Sequence, residues 1–361
     1  MKLLRVMALI VLVAASIPVL ADGGPNHQVK QTPPVKMGTS GGSSADASRL
    51  YCCGGTLGSL VRYDGVLSIL SNNHILARSG SATTGEDTIQ PGLIDVNCNG
   101  ATANIVGDFA GDKVPLGTKN VDTAISTARS GMVDSTGAII DIGVPCASPA
   151  TGTVGMGVTK SGRTTGQTTG SITSVNTSVS VQYQKGCNAG KRFVETYTNQ
   201  LVISGSGSFS AGGDSGSLIV TNDSSHHPVG LLFAGNTTQT IANPIQAVIS
   251  AYTAGGHTFT FVGNNCLASS AEATSGLGKI GPLPADIDFA TTVKERYEAE
   301  LFTRPGVIGV GVGVDETDAS RAAIVIYTTA GIGAHVQPGS FPADMDGVTV
   351  RVIPTEPFEA Q

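Results

Sequence analysis

Apolar residues along this chain come in short runs that alternate with polar ones and are closed off by Gly, Asn, Asp or Ser. Two-residue periodicity over short segments marks strands with one buried face. On that pattern 56–61, 66–70, 103–106, 123–127, 153–160, 170–175, 178–183, 200–204, 217–221 and 229–233 are predicted strands. Many short strands at this spacing predict a mostly β architecture, a barrel or sandwich. One short helix is predicted over 243–249, with Asn243 as its cap and Pro244 in its first turn.

The pattern changes near residue 285. Phe289, Val293, Tyr297 and Leu301 recur at helical spacing, and alternating strands are predicted at 307–314, 322–327 and 348–354. Residues 285–361 therefore read as a small α/β module of unknown role. Its Gly309, Gly311 and Gly313 lie inside a strand with no phosphate-cradling helix after them, so they are not a dinucleotide fingerprint. The Gly/Ser-rich stretch 255–284 is a predicted linker. Residues 22–49 are rich in Gly, Ser, Pro and Lys, carry few large apolar side chains, and read as a flexible lead-in. The main domain then spans 50–254.

The first 21 residues have the form of a secretory signal: Lys2 and Arg5, an apolar run over 6–17, Pro18, and a small-residue site at Val19-Leu20-Ala21. No later stretch is long and apolar enough for a spanning helix, so no stable membrane association is expected after signal removal. A net charge of −6 argues against a nucleic-acid partner. The cysteines at 52, 53, 98, 146, 187 and 266 are even in number, which in an exported chain predicts disulfides of open connectivity. A bond between adjacent Cys52 and Cys53 would be strained, so each is expected to find a distant partner unless one stays free. No Cys-x-x-Cys or His-x-x-x-His spacing suggests a metal, and no cofactor is predicted.

The chemistry concentrates in three places. Gly213-Asp214-Ser215-Gly216 sets a serine on a glycine-rich turn, where backbone N–H groups can face a substrate oxygen. His74 follows the apolar run 66–70 within Asn72-Asn73-His74-Ile75-Leu76-Ala77. Asp122 opens the strand Asp122-Thr123-Ala124-Ile125, a context that Asp108 and Asp112 lack. Position 217 is Ser, so the Gly-x-Ser-x-Gly elbow of α/β-hydrolases is absent. The His–Asp–Ser order, the spacing and the local sequences resemble the chymotrypsin/trypsin-like serine proteases over about 200 residues. Thr159-Lys160-Ser161-Gly162-Arg163-Thr164-Thr165-Gly166 is similar to a segment of the bacterial α-lytic/streptogrisin-like branch.

The resemblance implies a chymotrypsin-like double β-barrel and a secreted serine endopeptidase acting on protein or peptide substrates. Ser215 would be the nucleophile, His74 the base and Asp122 the group that orients it, with the N–H groups of Gly213 and Ser215 as oxyanion hole. It further implies a buried ion pair between Arg163 and Asp214, which would make activation through a new N-terminus unnecessary and the lead-in dispensable. Phe209, Phe233 and Gly235 would wall an apolar or shallow substrate pocket. A second reading is a catalytically idle scaffold of the same fold that serves as an extracellular binding protein.

Overall fold

A computed structural model describes residues 26–118, 120–266, 281–329 and 340–361; the predicted signal over 1–21 lies outside them. The fold is mostly β. The first sheet contains β1 (Thr39–Ser43), β2 (Gly55–Leu57), β3 (Ser59–Tyr63), β4 (Val66–Ser71), β5 (Asp87–Gln90), β6 (Asn104–Lys113), β7 (Ala124–Ala128) and β14 (Phe259–Phe261). Its order is β14-β3-β4-β7-β6-β5-β1-β2. Only Gly58 separates β2 from β3, so the far end of the sheet runs straight back into its beginning and the sheet closes on itself. Leu57, Leu60, Ile69, Val106, Phe109 and Ile125 fill its interior.

The second sheet contains β8 (Gly157–Gly162), β9 (Gly166–Gln184), β10 (Arg192–Gly205), β11 (Leu218–Thr221), β12 (Pro228–Gly235) and β13 (Thr240–Pro244). These run β10-β13-β12-β11-β8-β9, and β9 pairs again with β10 to complete a ring. The sheet then continues outward from β9 through β15 (Val307–Val314), β16 (Ala322–Thr329), β18 (Val348–Thr355) and β17 (Asp344–Met345). A last strand, β19 (Phe358–Ala360), pairs with both β12 and β9. Among the described residues three α-helices accompany these strands: α1 (Asn73–Leu76), α2 (Ile245–Thr253) and α3 (Pro284–Thr303). Among the described residues no helix is long and apolar enough to cross a membrane.

The module expected at the end of the chain is α/β, but its sheet is continuous with the second barrel. β15 pairs antiparallel with β9, and Val293 and Leu301 of α3 share a core with Ile172, Leu201 and Ile219. Phe289 is 54% exposed, so the buried face of α3 is narrower than the spacing of its apolar residues suggests. The predicted strands 170–175 and 178–183 are one strand, β9. Asn176, whose φ of 48° looks like a turn in sequence, is absorbed where the β9–β10 register shifts.

Two expected flexible segments are structural. The lead-in carries fully buried Val35 and Met37, and β1 pairs with both β2 and β5. Its Ser and Gly residues left no apolar signal because strand pairing needs only backbone. A Cβ on Gly41 would overlap Leu57, so a small residue is required where that strand packs. The first part of the expected linker, 255–266, supplies β14 against β3 and ends in the Cys146–Cys266 disulfide. Most of its remainder, 267–280, lies outside the described residues. Two further disulfides, Cys52–Cys98 and Cys53–Cys187, give the adjacent cysteines separate distant partners.

Candidate active site

His74 sits in α1, the single helical turn after β4. Two asparagines tie this turn to the segment that carries Asp122. The Asn72 side chain donates to the Asp122 carbonyl (2.7 Å), and the Asn73 side chain donates to the Val114 carbonyl (2.7 Å). Asp122 is fully buried and answers with its carboxylate. Oδ1 accepts the N–H groups of Asn73 (2.7 Å) and His74 (3.3 Å), which lack partners at the start of a helical turn. Oδ2 lies 2.6 Å from His74 Nδ1 and accepts the Tyr183 hydroxyl at 2.9 Å.

Asn243 was expected to cap a helix. Instead its Oδ1 accepts the Asp122 N–H (3.1 Å) and its Nδ2 donates to the Leu231 carbonyl (3.3 Å), which joins the two barrels behind the carboxylate. Asp108 of β6 pairs with Arg129, which follows β7.

Ser215 is contributed by the second barrel, on the turn before β11. The turn can approach the first barrel because position 58 is glycine: a Cβ there would lie 1.8 Å from the Gly216 carbonyl oxygen. The Thr56 N–H donates to the Ser215 carbonyl (2.8 Å), and the Thr56 hydroxyl donates to the Gly213 carbonyl (3.0 Å). Gly213 and Gly216 have φ of 98° and 93°, values that favour glycine. The Gly212 carbonyl accepts the Thr164 hydroxyl (2.7 Å). Because a trans peptide is planar, the Gly213 N–H points the opposite way from that carbonyl.

Ser215 Oγ donates to the Phe233 carbonyl (3.1 Å), and His74 Nε2 lies 3.3 Å from the Gln361 carbonyl oxygen. The Gln361 N–H in turn donates to the same Phe233 carbonyl (3.3 Å). Ser215 and His74 are therefore not hydrogen-bonded to each other but are linked through Phe233 and Gln361.

Burial pulls the His74 pKa down. The charge and hydrogen bond of Asp122 outweigh that, helped by the Gln361 carbonyl and Asp46, and the net shift is upward. Asp46, also buried on the cleft wall, is pushed up to about 6 chiefly by burial, against the pull of Arg78 and His74. The cleft encloses about 390 Å³ between residues that include Asp46, Cys53, His74, Arg163 and Gly213.

The expected Arg163–Asp214 pair does not form. Arg163 makes a two-pronged contact with Asp95, Nε to Oδ2 at 2.7 Å and Nη2 to Oδ1 at 2.5 Å. Asp214 turns inward as anticipated, but its neighbours are Lys160 Nζ (3.6 Å), the N–H groups of Thr164, Thr165 and Ala211, and the Thr165 hydroxyl. Strand parity explains the exchange. Lys160 lies in β8 on its buried face, while Arg163 follows the last residue of that strand and emerges beside the cleft.

The pocket walls also differ from expectation. The Phe233 ring packs on Tyr197 (centroids 4.9 Å apart), so only its carbonyl faces the site. Phe209 is buried in the second core, with Lys160 Nζ 5.9 Å from its ring centre. Gly235 does border the site: a Cβ there would lie 2.6 Å from Gln361 Nε2. Sequence reading missed Tyr183, Asn243, Lys160 and Gln361. Tyr183 carried one signal, a polar-tipped aromatic at an inward position of a predicted strand.

A family model for the Nal1 C-terminal domain matches residues 109–249. No curated protein matches the chain. Among solved structures, a glutamic-acid-specific serine protease described as using a histidine triad in substrate binding is 21% identical, with a TM-score of 0.43 over 63% of this chain and 100% of its own. Cellulomonas bogoriensis chymotrypsin is 20% identical, with a TM-score of 0.38 over 64% and 99%. The α-lytic protease homolog N4 is 20% identical, with a TM-score of 0.41 over 63% and 98%. The chain is a mostly β scaffold of two sheets, with Asp122 and His74 side by side on the first and Ser215 on a turn of the second.

Proposed function

We propose that this chain is a serine endopeptidase that works outside the cytoplasm. The observation that carries the reading is the buried Asp122 carboxylate 2.6 Å from His74 Nδ1, with the other imidazole nitrogen on the cleft wall, 3.3 Å from the Gln361 carbonyl oxygen. Asp122 fixes the tautomer that leaves Nε2 free to take a proton. In the reaction the Ser215 hydroxyl proton passes to His74 Nε2 as Oγ bonds to the substrate carbonyl carbon. The oxygen that becomes negative is received by the N–H groups of Gly213 and Ser215. Collapse breaks the C–N bond, and His74 gives its proton to the departing amine. Water then repeats the sequence on the acyl-enzyme, with His74 as base, and releases a carboxylic acid.

The basic and apolar start of the chain and three disulfides support export to an oxidising compartment. Reaction of the purified protein with a fluorophosphonate, followed by peptide mapping, tests the reading. Modification of Ser215, lost in Ser215→Ala together with peptide cleavage, is the expected result. Cleavage that persists in Ser215→Ala would refute it.

A further inference from the structure

Glu359, Ala360 and Gln361 line the cleft beside His74. β19 runs antiparallel to the rim strand β12, pairing Ala360 with Ala234 and Glu359 with Gly235. Gln361 then places its N–H on the Phe233 carbonyl (3.3 Å) and its own carbonyl oxygen 3.3 Å from His74 Nε2. A peptide held on the acyl side of a cleft needs the same backbone strand to keep it in register, while the Gln361 oxygen occupies the nitrogen that the base would use. The Gln361 side chain lies against Gly235, where a side chain on the rim would collide with it.

The strand is held on its other edge as well. Phe358 and Glu359 pair in parallel with Val181 and Gln182 of β9, and Phe358 is fully buried, its ring 5.9 Å from that of Tyr327. Just upstream, the Asn236 side chain donates to the Glu356 carbonyl (2.8 Å), and the Thr237 hydroxyl donates to the Glu356 carboxylate (2.8 Å). The terminal module is thus fastened beside the cleft, and its anchor lies at Phe358 rather than at Gln361. Ala360 and Gln361 lie beyond that anchor, so they can leave while Phe358 stays.

We propose that Phe358–Gln361 is a tethered, substrate-like peptide that fills the acyl side of the cleft and holds the site closed until it withdraws. The proposal rests on the peptidase reading above. On this view the module delivers a strand that carries the Gln361 amide to the residues that would otherwise bind the substrate. Tethering raises the local concentration of such a strand enough to block a cleft that binds the free peptide only weakly.

The test compares fluorophosphonate labelling rates of Ser215 in the full chain, in a variant lacking Ala360 and Gln361, and in Gln361→Pro, which keeps the length but removes the N–H donor. Both variants should label on the order of tenfold faster than the full chain. Their melting temperatures should stay unchanged, because Phe358 remains in place. Free peptide of sequence Phe-Glu-Ala-Gln at millimolar concentration should slow the shortened variant again. Equal labelling rates in all three proteins would overturn the tether while leaving the peptidase reading intact. If folded full chain and folded variants all fail to label, the peptidase reading falls and the tether with it.

Discussion

The Tyr183 hydroxyl stands 2.9 Å from Asp122 Oδ2, the same oxygen that faces His74, and 2.9 Å from the Tyr197 hydroxyl. Both tyrosines have pKa values raised, above all by burial, so the Tyr183 O–H remains a donor at any working pH. It disperses charge from a carboxylate that has no access to water. Tyr183→Phe keeps the ring packing and removes that donor. Turnover of a peptide substrate should fall about tenfold, or about 1.4 kcal/mol in barrier height. Without the donor the carboxylate holds protonated His74 more strongly, so the rise of activity with pH should move to higher pH. A loss of turnover with an unmoved pH profile would assign Tyr183 to packing alone.

His74, Asp122 and Ser215 were legible as candidates because each sits in a short local motif, and strand pairing preserves such motifs. Tyr183 was not, because its importance comes from the far end of a long hairpin folding over the cleft. The Arg163–Asp214 expectation failed for a related reason. A segment with two cations three residues apart does not reveal which one faces inward until the end of β8 is known. The first strand was invisible because Thr39–Ser43 has no apolar side chain to betray it. Gln361 could not be placed by any local pattern, since its partners come from both barrels.

His74 must be neutral to accept the serine proton, and its pKa is raised from 6.5. Activity should therefore be low in acid and rise through a midpoint above that value. The groups facing the imidazole are Asp122, Asp46 and the Gln361 carbonyl. Asp46 ionises at about 6 and is negative when His74 titrates, which favours the protonated ring. Asp46→Asn should lower the midpoint and raise the rate near pH 6 relative to its own maximum. A pH–rate series on both proteins checks this, and an unchanged midpoint would remove Asp46 from the electrostatics of the site.

Lys160 and Asp214 are both fully buried, 3.6 Å apart, at the turn that carries Ser215. Burial lowers the Lys160 pKa, and the Asp214 carboxylate opposes that shift. Lys160→Met leaves a carboxylate with four hydrogen bonds and no countercharge. The expected cost is about 3 kcal/mol, read as a lower denaturant midpoint. Adding Asp214→Asn should recover part of that loss, because removing both charges costs less than stranding one. A double variant that is less stable than Lys160→Met would show that the two groups do not act as a pair.

Cutting the chain before Leu50 tests whether the polar lead-in is dispensable, and the structure predicts that it is not. The Ser40 hydroxyl donates to Asp95 Oδ2 (2.5 Å), and the two oxygens of Asp95 hold the Arg163 guanidinium. The Arg163 N–H donates to the Thr56 hydroxyl (2.9 Å), which donates to the Gly213 carbonyl (3.0 Å). A chain of contacts thus runs from β1 to the glycine whose N–H would receive the substrate oxygen. Loss of residues 26–49 also removes Val35 and Met37 from the first core and leaves β2 and β5 without their shared neighbour. Two large buried side chains alone contribute several kcal/mol, on the order of the whole stability of a domain once the lost strand pairing is added. The truncated protein should fail to refold and should not react with a fluorophosphonate. Labelling of Ser215 at the full-length rate in a protein that begins at Leu50 would show instead that β1 is an accessory to the barrel.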